Sequence, residues 1–185
     1  MKWLSSVAIL LVLLSFSSSA QSEYYPSKPG LKWVYSNGET QVYTKTTNVF
    51  GVNAVILAHI FGGSTVQEDY IQVTSLGVNL IGTKRNGTVT QYKPPLAVYP
   101  AAPLAVGARW SSSSKVGSSV VAISSAILSS EGISVKGGRF NAFVIRQSVS
   151  TSSGGRSVSD LYFVPGIGTV RYVTADGTAV DLVSR

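Results

Sequence analysis

Pro26-Ser27-Lys28-Pro29-Gly30-Leu31-Lys32-Trp33 returns 77 residues later (103 − 26) as Pro103-Leu104-Ala105-Val106-Gly107-Ala108-Arg109-Trp110. Both octets read P-x-x-x-G-x-[KR]-W, and each lies beside a Tyr-Pro pair, Tyr25-Pro26 and Tyr99-Pro100. The likeness resumes downstream at an offset near 90. Asn53-Ala54-Val55-Ile56 answers to Asn141-Ala142-Phe143-Val144, and Asp69 to Asp160. Leu76-Gly77-Val78 answers to Pro165-Gly166-Ile167, and Asn86-Gly87-Thr88 to Asp176-Gly177-Thr178. Five matches in one order predict a tandem duplication, with copies over about 24–92 and 99–183. The second copy carries the longer insert between its Trp and its Asn.

Both copies read as β structure. Segments alternate or are β-branched and aromatic, and turn residues fall every eight to twelve positions. Strands are expected near 31–36, 40–48, 52–61, 65–74, 76–84 and 88–92, then 109–116, 119–129, 132–136, 139–150, 157–164, 167–174 and 178–183. Asn37-Gly38 and Asn86-Gly87 suit hairpin turns of type I′, which need positive φ at both central residues, and Asp176-Gly177 marks the last hairpin. Pro94-Pro95 to Pro103 reads as an extended joint between copies. The Ser-rich stretches 111–119 and 148–159 fit hairpin tips or water-facing strands better than linkers. The expected fold is therefore all-β, two tandem-duplicated antiparallel half-units that form one domain, a barrel or a sandwich.

The first 20 residues speak to compartment. Lys2, the apolar run Val7 to Leu14 and Ser18-Ser19-Ala20 make the pattern of a secretory signal peptide cut after Ala20. Eight apolar residues fall far short of the roughly 20 that a membrane-spanning helix needs. Residues 21–185 are then a single all-β domain, exported to the periplasm or beyond. Gln21 follows the expected cut and the chain has no Cys, so no lipid anchor is expected. An exported chain without cysteine fits a bacterial envelope better than a disulfide-stapled eukaryotic module.

Loss of Lys2 leaves 14 of the 15 basic residues against 8 acids. The basic residues stand singly except for Lys84-Arg85, without the clustered stripe of a nucleic-acid binder. Nucleic acid is not an expected partner, and membrane association is expected to be peripheral at most. The chemistry of catalysis is thin as well. His59 is the single histidine, set between Ala58 and Ile60 in an apolar strand, and its repeat counterpart is Gln147. That reads as a buried polar position with satisfied hydrogen bonds rather than a base or a metal ligand. Glu68 and Asp69 point to opposite faces of a strand. Asp69 and Asp160, as repeat partners, would face each other only if the two halves met across a pseudo-twofold axis. No G-x-S-x-G, P-loop or zinc spacing occurs. No catalytic residue, metal or cofactor is expected, and the protein is expected not to be an enzyme.

Val52 to Phe61 is apolar on both faces, so it should be a central strand covered on two sides. A part-filled interior would be lined by Val55, Leu57, His59, Phe61, Ile71, Phe143, Ile145 and Tyr162. Trp33 and Trp110 open the two copies. Their repetition at equivalent places suits a plug at the base of each sheet more than a ligand platform.

At the aromatic-Pro starts, the two G-x-x-W segments, Leu161-Tyr162-Phe163-Val164-Pro165-Gly166-Ile167-Gly168-Thr169-Val170 and the closing D-G hairpin, the chain resembles a group of bacterial exported domains of unknown function. That group is similar to the half-barrel of periplasmic lipoprotein carriers, which cup an acyl chain. The resemblance implies a non-enzymatic envelope protein that binds a hydrophobic molecule, lipid or pigment, between its sheets. The missing lipobox Cys departs from many members of the group. The alternative is a structural or protein-interaction subunit of the envelope, with another envelope protein as partner and no small-molecule ligand. A hydrolase would require Asp69 and Asp160 close together in a cleft.

Overall fold

A computed structural model describes residues 24–185. The expected signal peptide lies outside the described residues. The described residues form twelve antiparallel strands: β1 Lys32–Tyr35, β2 Thr40–Val49, β3 Val52–Phe61, β4 Ser64–Thr74, β5 Gly77–Arg85, β6 Thr88–Pro100, β7 Arg109–Val116, β8 Ser119–Val135, β9 Gly138–Thr151, β10 Arg156–Val164, β11 Gly168–Thr174 and β12 Ala179–Ser184. Each strand pairs with its sequence neighbours, and β1 pairs with β12, which closes the sheet into a barrel. Closure removes every free sheet edge, the hazard that an open sandwich would have kept.

Three local expectations need correction. The segments 119–129 and 132–136 are one long strand, β8, because a bulge at Leu128 absorbs the break in alternation without ending the pairing with β9. The expected joint is largely strand too. β6 runs on through Pro94 and Pro95 to Pro100, and its pairing with β5 jumps from Gln91 to Leu96, so both prolines sit where no ladder hydrogen bond is asked of them. Of the two expected Asn-Gly turns, Asn86-Gly87 alone has positive φ at both residues, 50° and 78°. At Asn37-Gly38 only the glycine does, because the Asn37 side chain accepts the backbone N–H of Glu39 and turns the chain by itself.

The duplication is visible in the turns. Gly30 and Gly107 take nearly equal φ, 91° and 89°. The Gly30 N–H donates to the Tyr43 carbonyl and Tyr43 N–H returns to Leu31, while Gly107 and Ala108 make the same exchange with Ile127. Copy one is β1 to β6 and copy two is β7 to β12.

Twelve strands enclose more space than the eight whose side chains alone fill a barrel. Aromatic rings take up the surplus. Tyr24 and Tyr25 precede β1 and are turned into the interior, where both are buried. Tyr25 lies parallel to Phe163 at 6.3 Å and against Tyr99 at 5.3 Å, and Tyr99 meets Phe163 at 4.7 Å. The Tyr24 hydroxyl donates to the Pro100 carbonyl, and its own carbonyl accepts the Gly166 N–H. Apolar side chains thus point inward, while the pairs Glu68–Lys84, Arg146–Asp160 and Arg171–Asp181 lie across the sheet surface. That is the reverse of a membrane-spanning barrel, whose apolar band faces out.

β3 is covered on both faces, as its sequence predicts. Val55 and Leu57 join the main core, while Ala54 and Ile56 form a smaller outer cluster with Tyr70 and Ile81. Phe50, at the β2–β3 tip, lies 6.1 Å from the Tyr70 ring and closes over Gly82. A Cβ at Gly82 would stand 2.6 Å from the Phe50 ring and 2.6 Å from the Thr90 carbonyl oxygen. The ring can swing away but the strand backbone cannot. Gly82→Ala is therefore expected to cost about 1–3 kcal/mol, as overpacking does elsewhere, and urea unfolding checks it. A midpoint equal to wild type would show that the β5–β6 bulge yields freely.

Candidate functional site

Inside the barrel, β2, β3 and β4 bring one ionisable group together. The Asn37 turn delivers Glu39 to the start of β2, alternation puts Gln41 on the same inward face, and β3 contributes His59 below Leu57. Asp69 and Gln67 arrive from β4. His59 Nδ1 lies 2.7 Å from Glu39 Oε1, and Nε2 lies 3.0 Å from Asp69 Oδ2. Gln41 Nε2 donates to Glu39 Oε1, Gln67 Nε2 to Asp69 Oδ1, and the Tyr172 hydroxyl of β11 to Glu39 Oε2.

Burial by itself would lower the His59 pKa, but hydrogen bonds to Asp69 and Glu39 and their charges outweigh it and raise it to about 9. Burial pushes Glu39 the other way, and the His59 contact wins there as well, holding its carboxyl below the usual 4.5. At neutral pH the group is an imidazolium between two carboxylates. A doubly protonated ring has no lone pair with which to accept a proton or bind a metal. The cluster therefore fastens the strands together and offers no neutral imidazole. Among the described residues, no group of three His, Cys, Asp or Glu is arranged to hold a metal.

Copy two has no such cluster, and the reason lies in the register. β3 meets β4 with Val55 opposite Ile71, Leu57 opposite Asp69 and His59 opposite Gln67. β9 meets β10 with Phe143 opposite Phe163, Ile145 opposite Leu161 and Gln147 opposite Ser159. The sequence match of Asp69 with Asp160 is thus one residue out. Asp69 corresponds to Leu161, and Asp160 corresponds to Glu68. One residue along a strand reverses the face. Asp69 points into the barrel, whereas Asp160 lies outside, held by both Arg146 Nε and Nη2 at 2.8 and 2.7 Å. The two carboxylates share no cleft, so Asp69 and Asp160 do not form a carboxylate pair.

Of the other expected interior residues, Val55, Leu57, Ile71 and Ile145 are buried in the main core, and Phe143 packs against it half-buried. Phe61 ends β3 and is 39% exposed, because the strand runs past the end of the core. Tyr162 is half-buried and packs against the main core as Phe143 does, with Arg171 lying over its ring at 5.8 Å. Trp33 and Trp110 donate their indole N–H groups to the carbonyls of Ile167 and Val98, at 2.8 and 3.1 Å. Each anchors a strand of its own copy to a distant turn or strand. Sequence reasoning did not single out Tyr25, Glu39 or Tyr172, since nothing local marks a turn glutamate or a leading tyrosine as inward-facing.

The space left inside is small. Between Tyr25, Trp33, Tyr43, Leu57 and Phe163 there is a cavity of about 50 Å³. Ligand pockets usually measure roughly 300–1,000 Å³, so this one has room for water and not for a lipid. Larger hollows open outward. A cleft of about 320 Å³ lies at one end of the barrel among Pro26, Leu31, Lys32, Trp33 and Ile167. A trough of about 500 Å³ crosses the outer face of β7 to β10, between Arg109, Arg146 and Arg156.

No protein-family model matches the chain. No curated protein matches it either. Among solved structures, the chain is similar to a candidate lipoprotein of Parabacteroides distasonis, with a TM-score of 0.47 and 11% identity over 87% of this chain and 97% of that one. At that identity nothing about ligand or activity passes from one protein to the other.

Proposed function

We propose that this protein is an exported, non-catalytic binding domain of the bacterial envelope that meets its partner with the outside of the barrel. The observation that carries the reading is the filled interior, where Tyr24 and Tyr25 occupy the space a carried molecule would need and leave a cavity of about 50 Å³. The leader-like residues 1–20 support export. The salt-linked His59 supports a non-catalytic role, since its ring nitrogens are both engaged. A closed barrel offers no edge strand for β-augmentation, so contacts fall to side chains on the sheet surface and at the barrel ends.

One observation favours a second reading. The end cleft beside Trp33 and Ile167 is mostly apolar and has the volume of a small ligand site, which is where a hydrophobic molecule would sit if one is bound. Native mass spectrometry of the mature protein, purified without detergent, separates the two. The expected spectrum shows protein alone. A solvent-extractable adduct of lipid size would overturn the first reading and move the site to the cleft.

A further inference from the structure

The two copies also differ on their outer faces. In copy two the strand register builds three rungs: Arg109–Ala126–Arg146–Asp160, Ser111–Ser124–Ser148–Val158 and Ser113–Ala122–Ser150–Arg156. Serine and alanine side chains make up most of the floor, with Leu128 and Val158 beside them, and guanidinium groups form the rim. In copy one the positions equivalent to the β8 and β9 rungs carry Thr40, Val42, Ala58 and Ile60, and the position equivalent to Arg109 carries Lys32 on β1. The repeat keeps a basic residue at the first position, Lys32 in the place of Arg109, whereas Arg146 and Ser148 have no counterpart in copy one, which carries Ala58 and Ile60 there.

From this trough we infer a binding site for an extended, carboxylate-bearing polysaccharide. The inference rests on the surface-binding reading above and names its ligand.

Charge spacing argues for a polymer. Arg109 and Arg146 share a rung two strands apart, about 10 Å between backbones, and Arg156 stands two rungs further on, about 13 Å along the strand direction. A single small anion does not span those positions, whereas a chain with repeated charges does. Among the described residues, Arg109 and Arg156 have no ion-pair partner, and the Arg146 side chain, though paired with Asp160, stays 56% exposed. Guanidinium forks match carboxylates with two parallel hydrogen bonds.

The floor argues for a glycan. Serine hydroxyls in rows supply donors and acceptors for a hydroxyl-rich chain. Beside Trp110, which lines it half-buried, the trough has none of the aromatic anchors on which protein partners usually concentrate their affinity. Trp110 offers no exposed platform for a neutral sugar ring, since it is half-buried with its indole N–H donated to the Val98 carbonyl. Concavity disfavours a flat bilayer.

The test is binding of the mature protein to polygalacturonate by calorimetry at low salt. Neutral dextran, polyglutamate of similar length and phosphatidylglycerol vesicles are run beside it. Polygalacturonate is expected to bind, to weaken with added salt, and to outbind polyglutamate. The variant Arg109→Ser/Arg156→Ser should weaken it at least about tenfold, the loss expected from two charge-assisted contacts, with thermal unfolding unchanged. Lys45→Ser/Lys136→Ser removes equal charge elsewhere and should leave it within about twofold, as net charge alone is a weak determinant. Equal losses in both double variants would overturn the site, and equal affinity for polyglutamate would overturn the glycan. Preferential binding to vesicles would overturn it in favour of a lipid surface. If polygalacturonate fails to bind a protein that carries no lipid adduct, this inference falls and the filled-interior reading stands.

Discussion

Tyr25→Ala is expected to destabilise the barrel by about 3–5 kcal/mol, in the range of other buried aromatic truncations. The ring is buried, parallel to Phe163 and in contact with Tyr99, and its hydroxyl lies 2.9 Å from that of Tyr43. Truncation removes those contacts and opens a void that joins the existing cavity, because β-strands locked in a closed ladder cannot collapse to fill it. For a domain of this size the melting temperature should fall by roughly 8–15 °C. Tyr25→Phe keeps the packing and loses one hydrogen bond, leaving the Tyr43 hydroxyl unpaired, so it should cost only about 1–2 kcal/mol. Differential scanning calorimetry of the three proteins measures both. A loss under about 1 kcal/mol for the alanine variant, below any core truncation of this kind, would mean that the leading segment is not part of the core. The filled-interior reading would then fail with it.

The second large effect is at His59. His59→Ala leaves Glu39 and Asp69 as two carboxylates facing an empty place. Removing one partner from a buried ionic group typically costs 3–5 kcal/mol, and with the His59 side chain still 18% exposed about 3 kcal/mol is expected at pH 7. His59→Gln should be milder, because an amide still donates to one carboxylate, and copy two carries Gln147 at this place.

The pH dependence has a definite sign. His59 has a folded pKa of about 9, above its ordinary 6.5, so its contribution is complete below pH 6.5 and is lost as pH rises through 9. Glu39 is held below its ordinary 4.5, so its contribution is present above pH 4.5 and is lost as pH falls through the lower folded value. Wild-type stability from these groups should therefore be greatest between pH 4.5 and 6.5 and decline on both sides. The gap between wild type and His59→Ala should be widest near that plateau, narrowing in acid and again as pH rises from 6.5 through about 9. Urea midpoints across pH 4 to 10 give the curves. An alkaline decline of equal size in the alanine variant would assign it to other groups.

Much of the strand pattern was legible because period-two alternation and Gly-containing turns are local properties. Val52 to Phe61 announced a strand buried on both faces, and the structure covers it on both. The repeat was legible too, since each octet encodes one glycine turn whose backbone exchange recurs in both copies. Local signals failed wherever one residue of register mattered. The bulge at Leu128 joined two expected strands, and the alignment of Asp69 with Asp160 put Asp160 on the wrong face.

By itself, then, the amino-acid sequence determined the all-β class, the two copies and most strand positions. The single buried-looking polar position at His59 was legible as well. These follow from alternation, turn chemistry and a short repeat, all of which act over a few residues. Only the tertiary structure decided that β1 meets β12, that Tyr25 fills the barrel and that Glu39 and Asp69 clasp His59. It also decided that three separate arginines rim one trough. Each of these depends on closure of the sheet, which sets residues far apart in the chain side by side and turns alternation into an inside and an outside.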